Sequence, residues 1–93
     1  MTERGYSATR GDLLRRLARV EGQVRGVGRM VEQDRYCIDV LAQISAVQAA
    51  LDKVALGLVD DHARHCVVGA EASEREHRTE ELMSAVGRLV TRR

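Results

Sequence analysis

Not one proline interrupts the 93 residues of this chain, and along most of that length apolar side chains return every three or four positions. A segment that never meets a ring-locked φ or a missing N–H keeps its helical hydrogen bonds, so the repeat is read as helix. Leu13, Leu17, Val20, Val24, Val27 and Val31 form one such stripe, which predicts a first helix from about Asp12 to Glu32. Gly22, Gly26 and Gly28 each cost on the order of 1 kcal/mol relative to Ala inside a helix, so close backbone packing is expected there. Glu32, Gln33 and Asp34 read as a short connection, with Asp34 as N-cap of the next helix.

From Arg35 to about Val68 the pattern runs on as one long helix, with Cys37, Leu41, Ile44, Leu51, Ala55, Leu58, His62 and Cys66 on one side and Gly69-Ala70 as its stop. A third helix is expected from about Ser73 to Val90, opened by Ser73 and Glu76 as a capping box and faced by Leu82, Met83, Val86, Leu89 and Val90. Residues 1–8 and 91–93 are expected to fray. The fold class is thus all-α, a three-helix protomer in a single domain over residues 1–93. A chain this short buries little of its unfolded surface alone, so self-association is expected.

Phe and Trp are absent, Tyr6 and Tyr36 are the aromatic residues, and the formal net charge is +1. That balance is uneven: residues 1–35 hold eight Arg against five acids, whereas Asp39, Asp52, Asp60, Asp61 and Glu71 outweigh Lys53 and Arg64 between residues 36 and 72. An oligomer would gather the basic segments into one positive surface suited to nucleic acid. No run reaches the roughly 18 consecutive apolar residues of a membrane span, and the polar start is unlike a signal peptide. A cytoplasmic protein with no membrane partner is expected, where two cysteines point to metal or thiol chemistry rather than a structural disulfide.

At about 100° per residue, Cys37, His62 and Cys66 share one helical face. His62 and Cys66, four residues apart, make a two-donor half-site. Cys37 lies roughly 38 Å away along the axis, at about 1.5 Å rise per residue, so one straight helix cannot bring all three to one ion. Two copies packed antiparallel about a two-fold axis near Ala49–Leu51 would set Cys37 of one beside His62 and Cys66 of the other, and Ala46, Ala49 and Ala50 would permit close approach. Two thiolates and an imidazole form a soft three-donor set suited to Cu(I); a water or a further side chain would complete a tetrahedron for zinc. Cysteines are also common as small core residues, and His62 could simply end an apolar stripe. His65, about 100° from Cys66, and His77, in another helix, are read as solvated.

The stretch Arg16–Arg29 (RLARVEGQVRGVGR), the pair Tyr36-Cys37, Gln43–Leu51 (QISAVQAAL) and the pair His62, Cys66 strongly resemble the CsoR/RcnR family of metal-sensing repressors. The likeness runs from about Leu13 to Val68, with Glu80-Glu81-Leu82 as a later island. In that family the Cys, His, Cys combination marks copper sensors. Nickel and cobalt sensors use His where Cys66 stands and recruit an N-terminal His, and none precedes His62 here. The persulfide-sensing branch lacks the His, and the formaldehyde-sensing branch needs a processed N-terminal Pro, where this chain has Thr2.

The resemblance implies an antiparallel dimer assembling into a flat dimer-of-dimers tetramer without a helix-turn-helix, with Cu(I) held by Cys37, His62 and Cys66. It implies supporting roles for Tyr36 and Glu81, the latter accepting a hydrogen bond from the His62 ring nitrogen that faces away from copper, with Glu80 as competitor. Arg16 and Lys53 are implied in operator DNA binding, with Arg15, Gln23 and Arg25 as additions. A Cu(I)-released repressor of copper-efflux genes, with no enzymatic activity, is the expectation. Its rivals are a thiol- or persulfide-responsive repressor of the same fold and a helical metal-storage protein that never touches DNA.

Overall fold

The computed structural model describes residues 9–91, so the expectations for residues 1–8, 92 and 93 lie outside it. Among the described residues there are three α-helices and no strand: α1 Arg10–Glu32, α2 Cys37–His62 and α3 Ala72–Thr91. The described residues resolve into two compact units, one of residues 11–55 and one joining Thr9 and Arg10 to residues 56–91.

In the first unit the buried apolar side chains are Leu13 and Val20 of α1 and Val54 of α2. Val27, Val40, Val47 and Ala50 are half-buried. The stripe read along α1 therefore divides into two lines of seven-residue spacing: Leu13, Val20 and Val27 turn inward, while Leu17, Val24 and Val31 stay exposed. On α2 the division is sharper. The face picked out in the sequence, Cys37, Leu41, Ile44, Leu51 and Leu58, is exposed, and the inner face is Val40, Val47, Ala50 and Val54, about a quarter-turn away. Close backbone packing at the α1 glycines is not found. An added Cβ would meet nothing within 4 Å at Gly28 and only the arginine side chains one turn on, at 3.8 Å and 3.7 Å, at Gly22 and Gly26.

The connection from α1 to α2 corrects the reading of Asp34. Asp34 has φ 53, in the left-handed region, and its N–H donates to the Val31 carbonyl at 3.1 Å while Arg35 N–H donates to Met30 at 3.0 Å. This is a Schellman close, with Asp34 in the position usually held by Gly. Asp34 therefore ends α1 rather than starting α2. Tyr36 takes the N-cap place, its carbonyl accepting from Asp39 and Val40.

In the second unit the long helix also departs from expectation. Its α register stops at His62, and Ala63–Val68 form a π-helical turn in which carbonyls pair with N–H groups five residues on. α3 packs against this turn. The wider winding lifts the His65 carbonyl toward residue 69, where a Cβ would lie 3.0 Å from it; Gly69 is the residue that fits. Arg75 Nη2 donates to the Ala70 carbonyl at 3.1 Å, holding the connection to α3. α3 begins one residue earlier than read from the sequence. The Glu71 carbonyl accepts from Glu74 and Arg75, so Ser73 lies inside the helix and the Ser73/Glu76 capping box does not form at its start. At the other end, Thr91 still belongs to α3.

The segment Cys37–Val68 is long and apolar enough, by length and composition, to cross a membrane. Its apolar run is broken midway by Asp52 and Lys53, each of which costs on the order of 3 kcal/mol at a bilayer centre.

Candidate functional site

The three soft donors sit at the two ends of α2 and in the turn that follows it. Cys37 is the first residue of α2 and is exposed, its approach set by the Asp34 turn. His62 is the last α residue and is half-buried; Cys66 is the fourth residue of the π turn and is half-buried. Four steps stay within one wide turn, so the His62/Cys66 pairing inferred from α geometry keeps its proximity in sequence although the register has changed. Both cysteines are free thiols. Among the described residues, no three His, Cys, Asp or Glu side chains gather closely enough to hold an ion within one chain.

Tyr36, beside Cys37, is 68% exposed, so its ring is available at the same end of the helix. Glu81 lies on α3, exposed, with its Oε2 4.0 Å from Nε2 of His77, one turn before it. Within the chain, then, the carboxylate implied as the His62 partner has a different imidazole for a neighbour. Glu80 is exposed as well, and His65 is exposed on the π turn.

The residues implied in DNA contact, Arg15, Arg16, Gln23, Arg25 and Lys53, are all exposed. Asp12 draws two of them together: its carboxylate lies 3.0 Å from Arg16 Nε and 3.7 Å from Arg15 Nη2. Arg25 lies 3.9 Å from Glu21. Such solvated i,i+3 and i,i+4 pairs contribute at most a few tenths of a kcal/mol each.

One polar residue near the donors was not singled out from the sequence. Asp61 is buried, at 8% exposure, and accepts a hydrogen bond from Thr9 Oγ1. Its signal was present in the spacing, since Val40, Val47, Val54 and Asp61 are seven apart and an acid closes an otherwise apolar inward line.

Residues 9–88 match the family of metal-sensitive transcriptional repressors. The sequence is 51% identical over 89 residues to the copper-sensing transcriptional repressor RicR of Mycobacterium tuberculosis, covering 92% of this chain and 93% of that relative. It is 59% identical over 64 residues to the copper-sensing transcriptional repressor CsoR of Bacillus subtilis, covering 69% and 63% respectively. The crystal structure of the copper-sensing repressor CsoR with Cu(I) from Geobacillus thermodenitrificans aligns with a TM-score of 0.80 and 45% identity over 90% of this chain and 88% of that one. The nickel-responsive transcriptional regulator InrS aligns with a TM-score of 0.72 and 42% identity over 84% and 89%. One fold thus serves regulators named for different metals.

Proposed function

This chain belongs to the family of metal-sensitive transcriptional repressors, and we propose that it is the Cu(I)-responsive kind, a cytoplasmic protein that binds operator DNA without metal and leaves it when Cu(I) binds. The observation that carries this reading is the donor set: two free thiols and an imidazole, placed at opposite ends of one helix whose Cys37 face is exposed. A soft, three-donor set fits Cu(I) better than a four-coordinate metal. Relatives named as copper-sensing repressors, at up to 59% identity, support the same choice.

In this reading residues 1–93 work as one unit, two copies lie antiparallel, and two such dimers form a flat tetramer. Cys37 of one protomer meets His62 and Cys66 of its partner. When bound, Cu(I) would supply the bridge between the two helices. The chain's own residues do the rest. Tyr36 and Glu81 orient the donors, Glu81 fixing the His62 tautomer in place of its His77 contact, and Arg15, Arg16, Gln23, Arg25 and Lys53 contact operator DNA, mainly its phosphates. A coupling of about 1–3 kcal/mol between the two sites changes operator affinity roughly 5- to 150-fold. Coordination and release need no catalysed reaction, so none is proposed.

The test is anaerobic Cu(I) loading followed by X-ray absorption and a gel shift with DNA from upstream of its own coding sequence. One Cu(I) per chain with two sulfurs and one nitrogen is expected, together with DNA release that Cys37→Ser and His62→Ala both abolish. A His62→Ala protein that is still released by persulfide would establish the thiol-switch alternative. Release by Ni(II) but not Cu(I) would move the chain to the nickel-responsive side of its structural neighbours. Absence of any shift at low salt would leave a metal-storage protein.

A further inference from the structure

Asp60 and Asp61 are adjacent carboxylates in opposite surroundings. Asp60 is exposed and meets Arg64 Nε at 3.0 Å on the solvent side, whereas Asp61 is the buried polar side chain among the described residues. The partner given to Asp61 is not a cation but the neutral hydroxyl of Thr9, 52 positions earlier, at the threshold of α1. A carboxylate sunk against a hydroxyl is a poor way to stabilise a fold, because removal from water costs more than one neutral hydrogen bond returns. An apolar pair of similar size would do as well or better. What the bond does supply is position. It ties a point one residue before His62 to the residue immediately before α1, the helix that carries Arg15 and Arg16.

The placement of this tie matters because of what surrounds it. Upstream of Asp61, α2 is ordinary α-helix; downstream, the register opens into the π turn that carries Cys66 and on which α3 rests. Asp61 stands immediately before His62 and five residues before Cys66, held by Thr9. Resting on the copper-responsive reading above, we propose that Asp61 is a positioning residue. Through its bond from Thr9 it joins the His62 end of α2 to the start of α1, so that rearrangement at the donors is passed to the DNA-contacting helix. The link is one side-chain hydrogen bond, from the residue that precedes α1 to the last turn of α2.

The experiment compares full-length wild type, Thr9→Val, Thr9→Ser and the double variant T9V/D61L. Operator affinity is measured with and without Cu(I) by fluorescence anisotropy, alongside copper stoichiometry, X-ray absorption and thermal melting. Thr9→Val is expected to lose about tenfold of the Cu(I)-driven weakening while binding copper with the same two sulfurs and one nitrogen. Thr9→Ser, which keeps the hydroxyl, is expected to behave as wild type. The double variant is expected to melt no lower than wild type and still lack the coupling, an outcome a merely structural contact would not produce. A Thr9→Val protein released like wild type overturns this inference alone, as does a coupling loss that follows only from lost copper ligands or lost folded protein. A wild type that Cu(I) fails to release overturns the copper reading and this inference with it.

Discussion

The two long faces of α2 are almost equally apolar and have opposite fates. Val40, Val47, Ala50 and Val54 are buried or half-buried within the chain, whereas Cys37, Ile44, Leu51 and Leu58, also seven residues apart, remain exposed with Leu41 beside them. α1 repeats the division, with Leu13, Val20 and Val27 inward and Leu17, Val24 and Val31 outward. A short chain with so continuous an exposed apolar line leaves much of its hydrophobic surface uncovered. The inner line makes the protomer; the outer line, which includes the proposed donor Cys37, is suited to a second copy. In the proposed function, folding and sensing use neighbouring faces of the same rod.

The largest expected effect comes from breaking the inner line. Val54, at 5% exposure, has no room for a charge, and Val54→Asp is expected to destabilise the protein by on the order of 3 kcal/mol or more, read as loss of helical circular dichroism at ordinary temperature. Leu51→Glu attacks the outer line three residues away. Because Leu51 is 43% exposed, the protomer should keep its helices while association weakens by about 1–3 kcal/mol, seen as a smaller species in sedimentation velocity. If Leu51→Glu melts the helices as fully as Val54→Asp, the distinction between the faces is void. The smallest effect sharpens the same picture at the turn that leads into α2. Asp34 holds φ 53, so Asp34→Gly should raise stability by up to about 1 kcal/mol in denaturant melts without changing the oligomer.

The candidate site was legible in unequal parts. Cys37, His62 and Cys66 could be placed on one face by counting, and the same counting showed that one helix cannot close the site. The π turn was not legible, because nothing in the run Ala63–Val68 distinguishes a five-residue from a four-residue hydrogen-bond register; the structure shows it with α3 packed on it and Gly69 beneath the His65 carbonyl. Asp34 was misplaced for a related reason. An Asp between two helices suits either a first-turn cap or a left-handed close, and only the backbone decides which. Asp61 was passed over because an acid beside another acid reads as solvated surface.

What the residues alone determined is the helical class, the bounds of α1 and α3 to within a few positions, and the chemistry of the soft donors, since these depend on periodicity, on the absence of proline and on side-chain type. Which apolar line lies inward, where the helix widens, and which carboxylate is buried were decided by tertiary structure. Those outcomes depend on what each face meets, and a repeat of three and four specifies a direction around the helix without specifying its neighbour.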